Sequence, residues 1–308
     1  MLTLILVKKF ASLLLIMAIG FISVKAKLFK SKDSSILSIL MIYIICPCMI
    51  LNSFQVERSS SIMFSFFIAV LVCLFVQVMF IILTMLLRKP LKLTEIEQAS
   101  LEYVNAGNLI FPLVTAMFGD DMAIYALAYV CVFTFFQWSH LIILMKSGEK
   151  PSLKVIFTNI NFICMFISFI LFVFNIRFPS VIKTTLQSFT DMVGPIAMFI
   201  TGMLLGEADF KSVFLNKRAY MIAFLRLIVY PVVALFFYKI LGIESHLENG
   251  SEIMLITFMA ACSCSASVVV SMAQLYGHDA EYASTINIIT IILCIITLPL
   301  MVSLFQAI

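Results

Sequence analysis

Polar and helix-breaking residues interrupt two otherwise apolar stretches of the chain. The first interruption spans residues 104–112 and contains Asn105 and Asn108 ahead of Pro112. Proline lacks a backbone donor and clashes with the preceding helical turn, and the intervening glycine adds backbone freedom, so a helix is expected to break here. Asparagine donates and accepts hydrogen bonds, so each can bind the freed backbone or a substrate. A packing kink satisfied by these asparagines is the alternative.

The second interruption spans residues 261–267 and alternates small residues with the hydroxyl side chains of Ser263, Ser265 and Ser267. It contains neither proline nor glycine, so its sequence alone also fits close packing of a continuous helix. We interpret the three serines as substrate-binding candidates because their place in the chain corresponds to that of the first interruption. The half-helix that starts near Pro112 is expected to point its positive N-terminal end at the midplane, which suits an anion.

Three ionisable residues lie within apolar segments, where charge is costly and usually faces a cavity or a partner. Glu102 lies one turn before Asn105, Asp191 lies four residues before a proline, and Arg226 lies five residues before another. Burial favours the protonated form of a carboxylate, so Glu102 and Asp191 are candidate proton carriers. Arg226 completes the predicted ion-coupling set. The alternative for each of the three is an interface residue or a structural ion pair.

The remaining reactive side chains predict no metal site, catalytic site or cofactor. The eight cysteines lack metal-ligand spacing and are read as small residues compatible with lipid. Gly-rich phosphate loops are absent, so direct use of ATP is excluded. The histidines are expected to be ordinary residues near helix ends: His140, His246 and His278.

The composition of the 308 residues requires a membrane. Hydrophobic residues make up 63%, charged residues 12%, and the mean hydropathy is +1.15. A soluble domain carries about twice that share of charge. The net charge of +4 contains no block suited to nucleic acid, so a nucleic-acid partner is excluded. We therefore expect an all-α polytopic protein of the cell membrane.

Ten apolar segments near spanning length supply the elements that position these residues. They cover 4–24, 35–54, 61–87, 95–118, 121–145, 154–174, 180–206, 217–240, 252–275 and 280–305. Segments four and nine contain the interruptions. Alternate loops, beginning with the first, hold 13 of the 20 lysines and arginines, which places both termini outside the cytoplasm. A cleaved signal peptide is the alternative for the first segment.

The two halves of the chain resemble each other. Segments two and seven carry internal prolines, Pro47 and Pro195, and the two interruptions follow at similar distances. Five spans per half force the second copy to insert upside down. We therefore predict inverted five-helix repeats over residues 1–150 and 151–308, with no soluble domain, an arrangement typical of secondary transporters.

Four stretches together resemble the auxin efflux carrier family of permeases, part of a wider bile acid and auxin transporter superfamily. They are the Asn105-to-Pro112 spacing closed by Gly119, and the stretches at 202–206, 226–231 and 273–281. The resemblance implies a ten-helix fold in which two broken helices cross, a scaffold part and a moving part, and substrate between the crossovers. The family usually has a proline near Cys264 and a polar amide where this chain has Val268.

These observations predict a secondary active transporter for a small organic anion such as a carboxylate, with alternating access around a midplane site. It is not expected to be an enzyme. The expected partners are the anion, a proton or sodium as coupling ion, the lipid bilayer and, left open, a second copy in a homodimer. The alternatives are an ion channel or membrane sensor of the same fold and, less favoured, an intramembrane enzyme.

Overall fold

The computed structural model describes residues 2–53, 55, 60–106, 110–118, 120–146, 157–207, 214–242 and 249–308. Within these ranges the regular structure is helical, apart from one antiparallel bridge between Val104 and Ser265. The all-α class is therefore confirmed. The helices are α1 Leu2–Lys25, α2 34–53, α3 Ser60–Leu91, α4 Glu95–Glu102, α5 Phe111–Phe118, α6 120–145, α7 Ile160–Val173, α8 Ser180–Glu207, α9 217–241, α10 Gly250–Ala261, α11 Val268–Leu275 and α12 Ala280–Ala307.

Polar side chains determine where several of these helices begin. Thr94 and Glu97 form a reciprocal capping box at the start of α4, with Glu97 N donating to Thr94 Oγ1 and Thr94 N donating to Glu97 Oε2. Asn159, Asn216 and Asp279 accept backbone N–H groups in the first turns of α7, α9 and α12. These caps separate segments whose apolar content alone does not mark their ends.

Six helices are long and apolar enough to cross a membrane among the described residues, and they are 31–52, 64–91, 128–145, 180–207, 217–240 and 280–307. Shorter apolar helices cover Leu14–Lys25, Ile160–Val173 and Gly250–Ala261. Large apolar side chains such as Phe64, Phe67, Phe75 and Ile82 are exposed on α3. An exposed apolar face of this size suits lipid rather than water. The count of ten spans stays a prediction.

The helices pack as two groups. The first helix group comprises α1, α2, α7 and α8, and the second comprises α3–α6 with α9–α12. The groups touch where α1 meets α5 and α12, where α8 meets α11 and α12, where α2 meets α11, and where α7 meets α6. Each predicted repeat thus contributes its first two helices to the first group and its remaining helices to the second.

Glycines allow α1 and α8 to pack at backbone distance. A Cβ added at Gly20 would lie 2.5 Å from the backbone oxygen of Phe199, and one at Gly202 would collide with the backbone of Met17. Gly202 and Gly206 are four residues apart and so lie on one face of α8. This small-xxx-small spacing permits the close approach that stabilises membrane helix pairs.

Candidate functional site

The two interruptions lie side by side and share backbone hydrogen bonds. We call residues 103–105, after α4, the first break and residues 262–267, after α10, the second break. The N–H of Asn105 donates to the C=O of Cys264 at 2.9 Å, and the N–H of Ala266 donates to the C=O of Tyr103 at 3.0 Å. Buried backbone outside a helix needs such partners. Each break therefore supplies hydrogen-bond partners for part of the backbone of the other.

The structure brings several predicted binding residues together at this contact. Asn105 Nδ2 donates to Ser267 Oγ at 3.2 Å, and both residues are buried. Ser263 and Ser265 are also buried in the second break. Asn108 lies outside the described residues. Pro112 belongs to α5, whose first residue is Phe111.

Two residues of α12 that sequence reasoning missed hold the second break. Asn287 Nδ2 donates to the C=O of Ser265 at 2.9 Å, and the N–H of Ser265 donates to Thr290 Oγ1 at 3.3 Å. Both α12 residues are buried. Their spacing of three residues in an apolar helix was the available signal, because it places two polar side chains on one face.

Arg226 connects the ends of the two helices that precede the breaks. It is fully buried, and its guanidinium donates to the C=O of Leu101 at 3.3 Å and to the C=O of Ala261 at 2.6 Å. The guanidinium carbon lies 5.1 Å from the centroid of the Phe80 ring. The last carbonyls of a helix form its negative end, so a cation is stabilised there. Arg226 thus contacts carbonyls and an aromatic ring, whereas the sequence left a structural ion pair open as an alternative.

Glu102 is buried at the last position of α4, directly before the first break. Its Oε2 lies 3.4 Å from Nδ1 of His140, and its backbone oxygen accepts a hydrogen bond from Gln77 Nε2 at 3.2 Å. The sequence predicts that His140 is an ordinary residue near a helix end. The structure instead places it against the carboxylate predicted to carry a proton.

The expectation that Asp191 is buried is wrong. Its side chain is exposed on α8, in the first helix group, and accepts a hydrogen bond from Gln187 Nε2 at 2.7 Å. The reason is a polar stripe at helical spacing, which includes Thr184, Gln187 and Ser188 and is exposed along its length. The structure therefore does not bring Asp191 to the paired breaks.

A second buried carboxylate, Glu97, anchors a network that the sequence did not predict. Arg218 binds it through two nitrogens, with Nε 2.6 Å from Oε1 and Nη2 2.9 Å from Oε2. Tyr282 donates to Oε1 at 2.8 Å, and Arg218 also donates to the C=O of Leu91 at 2.7 Å. A bidentate pair of this kind is strong and directional. It joins α4, α9 and α12 at the end of the second helix group near Lys89, Lys92 and Lys146, which we call the lysine-rich end.

Other sites offer less chemistry. A cavity of about 320 Å³ lies between α3, α6 and α7, and its lining includes Phe66, Phe135 and Met165 but none of the predicted site residues. Among the described residues, no three His, Cys, Asp or Glu side chains lie close enough to hold a metal ion.

One family of known proteins matches the chain over most of its length. The profile of a family described as membrane transport protein matches residues 5–156 and again residues 152–302. No curated protein of similar sequence was found.

Proposed function

Because the chain belongs to the membrane transport protein family, we propose that it is a secondary transporter that carries a small organic anion by alternating access. The family match confirms the resemblance to auxin efflux carriers drawn from the sequence, and a multi-pass integral membrane protein of a transporter family follows from it. The substrate class, the mechanism and the residues assigned below are our proposal.

The paired breaks are the observation that carries the proposal. Broken helices at membrane depth are stable only where protein or a wet cavity surrounds them, and transporters use them to bind substrate. Here α5 and α11 begin after the two breaks, so the positive ends of both helices lie towards the paired segments. The amide of Asn105 and the hydroxyl of Ser267 lie between them. These groups suit a carboxylate, which accepts hydrogen bonds from N–H and O–H donors.

The proposed site comprises the predicted binding residues around this pair. Asn105 is its centre, because its backbone joins the breaks and its side chain reaches the opposite one. The other members are Asn108, Pro112, Ser263, Ser265 and Ser267.

The architecture we propose has ten spans in two inverted five-helix repeats, residues 1–150 and 151–308. The grouping of helices supports it, since each half supplies two helices to the first group and the rest to the second. Movement of the second group against the first would expose the breaks to either side of the membrane in turn. Such movement would occur at the contacts between the groups, which include α2 with α11, α1 and α8 with α12, and α7 with α6.

For ion coupling we propose Glu102 as the leading residue. It is buried directly beside the first break, so a change in its charge is felt at the substrate site. Arg226 contributes a fixed positive charge between α4 and α10. Asp191 is the weaker candidate because it is exposed on the first helix group. A proton fits Glu102 better than sodium, although either ion would supply the free energy.

The test begins with a thermal-shift screen of purified protein against carboxylates from acetate to citrate, with and without sodium and across pH. A ligand that binds only the folded state raises the unfolding temperature. Affinity for the strongest hit is then compared between the parent and Asn105→Ala. Losing one hydrogen bond to a charged ligand costs about 1.5–3 kcal/mol, so we expect a loss of about tenfold to a hundredfold.

Asn161→Ala is the matched control. Asn161 is also a buried asparagine that donates to a backbone carbonyl, that of Ile42, but it lies away from the breaks on α7. Unchanged affinity in Asn105→Ala, with the variant folded and monodisperse, would place the substrate elsewhere. Saturable counterflow in proteoliposomes supports a carrier, and steady ion current would instead favour the channel alternative.

A further inference from the structure

His140 lies on a widened turn that brings its ring to Glu102. Residues Gln137–Leu141 of α6 form a π-helical turn, in which one extra residue per turn rotates the side chains relative to a regular helix. We propose that His140 transfers protons between water at the lysine-rich end of the second helix group and Glu102. The inference rests on the proposed coupling role of Glu102 and adds the residue through which the proton reaches it.

The hydrogen bonds of Tyr103 indicate the tautomer that this transfer needs. The Tyr103 hydroxyl donates to the C=O of Phe136 at 3.1 Å, and the same hydroxyl lies 2.9 Å from His140 Nδ1. We assign the single hydroxyl proton to that carbonyl, which can only accept, so Nδ1 carries the proton of the second contact. Nδ1 also lies 3.4 Å from Glu102 Oε2, the acceptor to which the transfer passes this proton.

The two residues differ in how far they are shielded. The side chain of His140 is 28% exposed, whereas that of Glu102 is 3% exposed. Glu102 lies seven residues into α4, or about 10 Å from its start, and His140 lies five residues before Met145 at the end of α6, or about 8 Å. Lys89, Lys92 and Lys146 flank these two helix ends. The ring therefore lies on the path from that end to the carboxylate.

Few other charged or titratable groups lie near Glu102, where they could exchange a proton with it in place of His140. Around Glu102, α3 presents the uncharged Gln77 and Thr84, whose hydroxyl lies 2.8 Å from that of Tyr230 on α9. Arg226 on the same helix binds the carbonyl of the residue before Glu102. Besides Tyr103 and Glu102, the elements packed on the His140 turn include α7, whose sequence contains no charged residue. His140 and Arg226 are thus the basic groups near the carboxylate among the described residues.

The transfer balances without any other reactant. A proton from water adds to Nε2 of His140 and gives an imidazolium. The Nδ1 proton then moves to Oε2 of Glu102, which leaves a neutral carboxylic acid and an imidazole protonated at Nε2. Exchange with water restores the Nδ1–H tautomer, and the reverse sequence releases the proton from Glu102.

A pH-jump experiment followed by infrared spectroscopy tests the step without knowledge of the substrate. The parent protein in liposomes shows a buried carboxylic acid band, assigned to Glu102 by its loss in Glu102→Gln. We expect His140→Gln to slow the appearance of that band about a hundredfold or more, which begins at the lower end of the range for loss of a positioned acid–base group, with its final amplitude retained. His278→Gln is the control, because His278 binds the C=O of Met145 at the same end of α6 and should leave the rate unchanged.

Tyr103→Phe is the second variant and keeps the test valid if His140→Gln does not fold. It removes the Tyr103 hydroxyl that accepts from His140 Nδ1. We expect the Glu102 band to appear more slowly and to reach an unchanged amplitude. Equal rates in the parent and in the folded variants would overturn the relay while leaving the Asn105 site untouched. A parent without any Glu102 band across pH would overturn both the relay and the coupling role of Glu102.

Discussion

Replacing Arg226 by methionine tests whether the guanidinium connects the helices before the two breaks. Methionine has similar length and no charge, so it fills most of the volume and leaves little cavity. The carbonyls of Leu101 and Ala261 then lose their donors while staying buried. Arg226→Lys provides an intermediate case, because an ammonium group lacks the planar fork that reaches two carbonyls at once.

The magnitude follows from the two hydrogen bonds. Each buried carbonyl left without a donor costs about 1–3 kcal/mol, which gives about 2–6 kcal/mol for the pair. Removing a buried charge also recovers part of its desolvation cost, so we expect the lower half of that range, about 2–4 kcal/mol. At roughly 2 °C per kcal/mol for a chain of this length, the unfolding temperature should fall by about 4–8 °C.

The assay compares thermal unfolding and amide hydrogen exchange in detergent for the parent, Arg226→Met and Arg226→Lys. Exchange should accelerate at residues 101–106 and 261–267, where the connected helix ends and the breaks lie. Arg177→Met is the control, because Arg177 is exposed and binds only Asn175 among the contacts described for it. If Arg226→Met unfolds within 1 °C of the parent and its breaks stay equally protected, the connecting role is wrong; that margin is about 0.5 kcal/mol on the same scale.

Two further predictions concern packing and coupling. Gly202→Val should place side-chain atoms against the backbone of Met17 and lower the free energy of unfolding by about 1–3 kcal/mol or more. Its unfolding temperature should fall further than that of Gly202→Ala. Equal temperatures for the parent and both variants would contradict the close contact of α1 with α8. In proteoliposomes, Glu102→Gln should flatten the pH dependence of uptake because glutamine cannot exchange a proton. Asp191→Asn should keep the pH dependence because Asp191 is exposed. An unchanged pH profile in both variants would favour sodium or uncoupled transport.

Local chemistry predicts much of the fold but only part of the site. Pro112 and the glycine before it predict the first break. The second break is predicted only because its place in the chain corresponds to that of the first. Asn105 and Ser267 share a hydrogen bond, and their role in binding stays a prediction. The prediction that Asp191 is buried rested on its place within an apolar segment, and the apolar content of that segment conceals the polar stripe at Thr184, Gln187 and Ser188.

The contacts that the sequence did not predict depend on how distant helices meet. Arg218 and Glu97 are 121 residues apart, and no local pattern links them. His140 and Arg226 both lie in π-helical turns, Gln137–Leu141 and Leu225–Val229, whose extra residue shifts the direction of the side chains. Composition and periodicity give no sign of such a turn, so the partners of these two residues follow only from the three-dimensional arrangement.

The backbone pairing between the breaks has a consequence for how the protein is assembled in the membrane. The first interruption, residues 104–112, contains its own glycine and proline. The second break has neither, and its non-helical backbone is stabilised by Tyr103, Asn105 and residues of α12. During synthesis the amino-terminal half is inserted first and can serve as the template on which the later segment opens. Expressed alone, residues 151–308 would lack that template, and we expect residues 250–275 to close into one continuous helix without a binding site.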